Sequence, residues 1–392
     1  MTSETFDKRN ALAFIVAFGF VSLFADMAYE GMRGISGPYL ALLGASGAAV
    51  GIIAGTGELF GYVLRLFAGK AAEKTSAYWA ITLSGYAVQM AAVPLMAFAG
   101  AWWAAAILIV VERTGKAIRN PAANFMMSRA GHEIGQGWAF GLHEALDQTG
   151  ALVGPLIAAL VLAHHGQYRD AFLWLGIPAV LTLLTVIGLR LNFGFAGTLA
   201  QAPEDATRDG KLSRAFWLYT ASAGLIAFGF ADWPLIAYHF AKADIVSQPV
   251  VPVLYAVAMA GSGAGALVMG RAFDARGFGV LIPAVLVAAA VAPMAFLGHG
   301  WAAMLGAVLW GVVLGAENSV LTAGVARLVP EAARAGAYGM FSAVFGIAWF
   351  AGSALLGVLY DVSFPALVAV SATSELAAIL PLIALLRGAK TA

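Results

Sequence analysis

The chain has no cysteine, which excludes disulfides, thiolate metal sites and thiol nucleophiles together. Charge is scarce as well. Its 22 basic and 21 acidic side chains make up 11% of 392 residues, against roughly 25% in an ordinary soluble domain. A soluble globule of this size could not cover its surface so thinly, and a soluble enzyme is excluded. The formal net charge of +1 leaves no basic face for nucleic acid. No H-E-x-x-H, nucleophile elbow, P-loop or dinucleotide fingerprint occurs, so ATP-driven transport and intramembrane hydrolysis both lack parts. Apolar side chains are abundant: 61% of the chain is hydrophobic, which excludes disorder. These are the proportions of an integral membrane protein.

A helix needs about 20 largely apolar residues to cross a bilayer. By that measure the chain divides into twelve spans, near 11–33, 48–68, 78–98, 102–124, 138–163, 170–192, 215–240, 250–270, 279–298, 301–327, 337–360 and 363–386. The apolar runs are continuous rather than alternating, which argues against a barrel. An all-α polytopic bundle of twelve transmembrane helices is expected. With the N-terminus inside, most basic residues fall on the cytoplasmic side and only Arg33, Arg169 and Lys242 outside. Both termini are therefore expected in the cytoplasm. A signal peptide is the alternative for the first span, but it would discard acidic residues that have a counterpart later in the chain.

The one long polar stretch, Asn192 to Arg214, divides six spans from six. The expected organisation is an N-terminal half (1–192), a cytoplasmic linker (193–214) and a C-terminal half (215–392). Self-comparison supports a duplication. Phe24-Ala25-Asp26 recurs as Phe230-Ala231-Asp232, Glu112-Arg113 as Glu317-Asn318, and Ala139-Phe140-Gly141 with Gly154 as Ala337-Tyr338-Gly339 with Gly352. The matches share an offset of about 200 residues and keep their order. Paired repeats of this kind rock against each other around a midplane site.

Three local signatures then resemble the major facilitator superfamily, and the resemblance covers the whole chain. In span 5, Gly141, Gly150, Gly154-Pro155 and Ala158-Ala159 follow the family's antiporter motif, with alanines in place of the final glycine pair. After span 8, Gly270 to Gly277 with Asp274 and Arg276 resembles its cytoplasmic gating motif. The copy after span 2, with Gly69, Glu73 and Lys74, is degenerate, and in span 4 Arg113 matches an arginine common in the family without the glycine spacing that follows it. The resemblance implies a major facilitator fold and proton-coupled efflux by alternating access. Physically, the glycines admit a neighbouring helix and Pro155 removes a backbone donor, so a joint between halves is expected there.

Ionisable side chains inside a membrane cost about 2.5–3.5 kcal/mol each even on the lenient insertion scale. They are expected to face inward. They include Asp26, Glu30 and Arg33 in span 1, Glu58 and Arg65 in span 2, Glu112, Arg113, Lys116 and Arg119 in span 4, and His143, Glu144 and Asp147 in span 5. Asp232, His239 and Glu317 follow in the second half. Glu112 and Lys116 stand in the favourable i,i+4 order, and Glu112 lies about 15 Å along its helix, near midplane. A proton carrier needs a carboxylate whose charge changes: burial favours its neutral form and a nearby cation its charged form. Asp26, Glu58, Glu112 and Asp147 are candidates, with Arg113 as cationic gate and His143 as relay. A static salt bridge is the alternative for each, and the preferred reading for Arg65 and Glu144.

The second half carries aromatic rings instead. Trp233 and Trp310 join Tyr338, Phe341, Phe345 and Trp349, which stand at i, i+3, i+7 and i+11 on one face. The face serves packing or walls a cavity. In the second case Glu30, Lys116, Arg119, Asp232, Trp233, His239, Trp310, Glu317, Tyr338, Phe341 and Phe345 enclose a substrate with both charged and aromatic surface. The expected function is proton-coupled export of a small amphipathic organic molecule from a monomer in the bilayer of a bacterial inner membrane. The proton gradient is the energy source, without cofactor or metal. Uptake of an organic anion by symport or facilitation remains the alternative, motivated by Arg113, Lys116 and Arg119. A membrane enzyme or lipid scramblase has no catalytic spacing behind it.

Overall fold

A computed structural model describes residues 8–193, 212–330 and 333–388. The polar linker from 194 to 211 and Lys390 lie outside the described residues. The helices are α1 (Lys8–Leu42), α2 (Gly47–Thr75), α3 (Tyr78–Leu95), α4 (Trp102–Ile134), α5 (Gln136–His165), α6 (Tyr168–Asn192) and α7 (Arg214–Gly229). They continue as α8 (Trp233–Lys242), α9 (Val250–Arg276), α10 (Leu281–Ala292), α11 (Trp301–Leu328), α12 (Arg334–Val362), α13 (Phe364–Ala377) and α14 (Ile379–Gly388). No strand occurs among the described residues. Backbone groups that cannot reach water must bond within their own segment, and in apolar runs of this length the helix is the form that does so.

Ten helical stretches among the described residues are long and apolar enough to cross a membrane. One of them, Val250–Leu297, holds two of the expected spans, parted at Gly277 (φ +65°). α4 stands outside the ten by composition, its 33 residues being rich in charge.

Several boundaries differ from the sequence reading. Gly34 to Gly44 was expected as a break, yet α1 runs through Gly34 and Pro38 to Leu42 before Gly44 turns the chain at φ +82°. The earlier glycines are points of contact. A side chain at Gly37 would meet the Pro234 carbonyl. The span expected at 215–240 is two helices, because residues 230–232 are extended. The carbonyls freed near the break are satisfied: Trp310 Nε1 donates to Ala231 O (2.8 Å) and Ser371 Oγ to Gly229 O (2.6 Å). Both expected gating loops are the last turns of helices, since Gly69 and Lys74 lie in α2 and Gly270, Asp274 and Arg276 in α9. The Glu73 side chain is outside the described residues.

Contacts divide the chain into two compact units. The first comprises Met1–Ile35, Phe60–Ala202 and Gln248–Ala256, the second Ser36–Leu59, Pro203–Ser247 and Val257–Ala392. In the first unit a backbone-close crossing joins α5 to α1: a side chain at Gly154 would strike the main chain of Met27, and one at Gly150 that of Leu23. In the second, α12 meets α7 in the same manner, Gly352 facing the main chain of Phe228. The second unit also holds the start of α2, where Gly51 faces Ser353 and Gly357, and Asp361 caps the helix by accepting from Gly47 N (2.9 Å) and Ala48 N (2.8 Å).

Candidate functional site

The buried charges of the first unit gather on α1, α4 and α5. α3 and α4 approach closely because Gly85 and Gly115 face each other without side chains; a carbon added at Gly85 would lie 2.8 Å from Gly115 O. That crossing sets Gln89 between two charges of α4. Gln89 Nε2 donates to Glu112 Oε1 (2.8 Å) while Arg119 Nε donates to Gln89 Oε1 (2.7 Å). Arg119 Nη1 also donates to Tyr86 OH (3.0 Å), and its guanidinium lies 4.3 Å from the centre of that ring. Glu112 is 1% exposed and Arg119 5%. Arg113 Nε stands 3.6 Å from Glu112 Oε2.

Lys116 turns toward α1. Its ammonium donates to Tyr29 OH and sits 3.8 Å from that ring's centre, so Tyr29, and not Glu112, is its hydrogen-bond partner. The i,i+4 pairing expected from sequence is replaced because Gln89 already holds Glu112. On α5, Asp147 Oδ1 accepts from Ser22 Oγ (2.6 Å), and His143 Nε2 lies 3.5 Å from the same hydroxyl. One serine on α1 thereby joins the relay candidate to the carboxylate. Asp26, 3% exposed, lies beside Gly150 in the fields of Asp147, Lys116, Glu30 and Arg119. Glu30 accepts from Tyr255 OH, on the part of α9 that belongs to this unit, and has Arg33 and Lys116 as its nearest cations. Acids Asp26, Glu30, Glu112 and Asp147 are thus matched by Arg33, Arg113, Lys116 and Arg119.

The second unit arranges its polar groups differently. Asp232, at the break before α8, accepts from Trp349 Nε1 (2.8 Å) and Ser353 Oγ on α12. Around it the rings pack on one another. Phe230 stacks on Trp310 with centroids 5.8 Å apart, Trp233 leans on Trp310 at 5.4 Å, and Phe341 stacks on Phe345, which meets Trp349 edge to face. Trp233 and Trp310 are fully buried. Tyr338 is half-buried at the start of α12. His239 lies 3.1 Å from Tyr360 OH among Phe296, Phe364 and Tyr360. Glu317 faces a small apolar cavity between α7, α10 and α11.

Not every expected residue joins a cluster. Glu58 belongs to the second unit with the start of α2 and is half-buried. Arg65 is exposed beside the Tyr62 ring (5.9 Å), and Glu144 is exposed and accepts from Gln148 (2.9 Å). The expectation that all membrane-embedded charges face inward does not hold for these two, because each meets surroundings its flexible stem can reach at the surface. The expected joint between halves at Gly150 and Gly154 is instead the α5–α1 crossing inside one half, Pro155 lying 3.5 Å from where a side chain on Gly34 would start. Gly141 faces open space. Sequence reasoning missed Ser22, Tyr29, Tyr86, Gln89 and Tyr255, the neutral partners of the charges, and Glu375 on α13. A glutamine and a tyrosine three apart within the apolar span 78–98 were the legible sign of the first network.

No family model matches the sequence. An uncharacterized protein of Mycobacterium tuberculosis, Rv2265, is 37% identical over 382 residues, covering 96% of this chain and 93% of its own. An uncharacterized MFS-type transporter of Methanocaldococcus jannaschii, MJ1317, is 27% identical over 176 residues, 45% of this chain and 43% of its own. Among solved structures, a variant of the nucleoside transporter NupG superposes with a TM-score of 0.79 at 11% identity, covering 95% of this chain and 99% of that one. The peptide transporter POT in complex with sulfate gives 0.74 at 17% identity, covering 98% of both. The likeness shows that the chain has the all-α polytopic membrane fold of these proteins. The chain shares the fold of these solved transporters, and 45% of it is similar to an MFS-type transporter.

Proposed function

We propose that the protein exports a small amphipathic organic molecule in exchange for protons by alternating access. The observation that carries this reading is the placement of Asp26: buried on α1, next to a second acid, Asp147, and within the field of Lys116 and Arg119. Two carboxylates in one site do not ionise together without cations close by. Movement of Lys116 or Arg119 on α4 relative to α1 therefore loads or releases a proton. His143, joined to Asp147 through Ser22, relays it. Glu112 with Arg113 forms the gate, and Glu58 is a further proton carrier. The direction rests on the resemblance of Gly141, Gly150, Gly154 and Pro155 to an antiporter motif. The organic substrate meets Glu30, Lys116 and Arg119. Uptake of an organic anion is the second reading, favoured by Arg113, Lys116 and Arg119 on one helix.

Purified protein in liposomes loaded with a pH-sensitive dye provides the test, with ethidium and an anionic fluorescein derivative as amphipathic probes. Exchange predicts that outward dye movement acidifies the opposite compartment, and that Asp26→Asn or Asp147→Asn abolishes the coupling. Co-movement of dye and protons in one direction would support the uptake reading. Full proton-driven accumulation by the Asn and Gln variants at 26, 58, 112 and 147 would refute the assignment of the proton to these acids.

A further inference from the structure

Two acids in the second unit have no place in the scheme above. Glu317 on α11 is 6% exposed and Glu375 on α13 is fully buried. None of their four carboxylate oxygens accepts a hydrogen bond from any described residue. Glu375 lies within the field of Glu317. Glu317 also borders a cavity of about 10 Å³ open to a water's centre, walled by Ile226, Leu281, Val285 and Val313. That is close to the volume that admits one water. Glu375 lies deeper. Its Cγ is 3.0 Å from where a side chain on Gly229 would begin, at the last residue before the helix break.

Among the described residues no cation acts on either acid. α10 carries no titratable residue, and α7 offers Arg214 in its first turn and Tyr219, whose hydroxyl donates to Val320 O and Leu321 O. Arg327 and Arg387 stand in the last turns of α11 and α14, while α13 has no charge but Glu375. On α12, Arg334, Tyr338, Tyr360 and Asp361 lie toward its two ends; on α9, Arg271, Asp274 and Arg276 lie near its last turn. Asp232 is held by Trp349 and Ser353, and His239 lies against Tyr360. Two adjacent carboxylates without donors or cations do not both stay ionised in an apolar interior; a buried charge of this kind neutralises.

We propose that Glu317 and Glu375 form a proton site in the second unit, with Glu317 exchanging the proton through the one-water cavity and Glu375 holding it behind the break between α7 and α8. The acids of the first unit lie among arginines and a lysine. The second unit stores its proton in an apolar wall, at the point where α7 gives way to α8. Occupancy of this site can thus be read without knowing the transported substrate, and it stands or falls apart from the export reading.

Infrared spectroscopy of the full-length protein in lipid nanodiscs, stepped between pH 5 and pH 9, tests it, because a protonated carboxyl has its own C=O stretch. Wild type labelled with ¹³C-glutamate is expected to show an isotope-shifted carboxyl band at neutral pH that weakens reversibly as pH rises. Glu317→Gln and Glu375→Gln should each reduce the band, and the double variant should reduce it most. No glutamate band at neutral pH in the labelled wild type overturns the proposal, even if neither variant folds. A band that the double variant leaves at its full wild-type intensity also overturns it. A band that never responds to pH refutes the exchange through Glu317. A band that appears only when sodium is removed assigns the site to a metal cation and not to a proton.

Discussion

The two units each place an aspartate against a close helix crossing, and surround it in opposite ways. Asp26 on α1 sits where Gly150 lets α5 approach, among acids and cations from three helices. Asp232 sits where Ser353 and Trp349 of α12 approach, fixed by two neutral donors and enclosed by rings. A carboxylate held by neutral donors is satisfied in one charge state only. One balanced by movable charges can change state when they move. The difference teaches that similar close helix crossings can hold an aspartate by fixed neutral donors in one unit and among charges in the other.

The largest effect should appear where the copies agree. Valine at Gly154 or Gly352 would drive a branched side chain into the main chain of Met27 or Phe228. Each change should cost about 3 kcal/mol, at the upper end for overpacking, read as a lower Tm in detergent. A valine variant of one copy with wild-type Tm would show that its crossing can relax and that the copies differ in packing as well.

Removing a holder tests the comparison next. Gln89→Leu takes the shared partner from Glu112 and Arg119, and a loss of about 2 kcal/mol is expected for buried groups left unpaired. Asp232→Asn turns an amide toward the Trp349 and Ser353 donors, with a cost of similar size, about 1.5–3 kcal/mol. Asp26→Asn is expected to do the reverse: stability within about 1 kcal/mol of wild type, since it removes a like charge near Asp147, with proton-coupled dye movement lost. Chemical denaturation and liposome flux measured on the same preparations separate the two aspartates. Equal stability losses at 26 and 232 would erase the distinction.

The smallest change in stability should come from Arg113→Lys, which keeps the charge but not the planar fork. With its Nε 3.6 Å from Glu112, the expected loss is below about 1 kcal/mol, whereas flux should fall. Full flux in the lysine variant would make Arg113 a generic cation.

Much of this plan was legible before any coordinates. Apolar runs gave the helices, and the recurrence of Phe-Ala-Asp marked both aspartates, because span length and duplication leave traces in linear order. The rest depends on what meets across helices. Nothing linear says that Gln89 lies between Glu112 and Arg119, since that follows from the Gly85–Gly115 crossing. Gly34 and Gly37 read as a turn because glycine serves turns and close approaches alike. Helix seven read as continuous because an extended stretch of three apolar and acidic residues leaves hydropathy unchanged, although Gly229 and Pro234 flank it.

The matching of four acids by four bases in the first unit has an electrical consequence. With all eight ionised, the cluster as a whole carries no charge, so its displacement along the membrane normal does no work against the transmembrane voltage. Each elementary charge moved across 100 mV is worth about 2.3 kcal/mol. A single added proton makes the cluster positive and subjects the loaded step to that force, while the unloaded step escapes it. In exchange the cargo crosses on the proton-free step, so a charged cargo would subject that step to the same force and a neutral one would leave it silent. The voltage dependence of turnover therefore reports the charge of what is carried, with the protein itself contributing none.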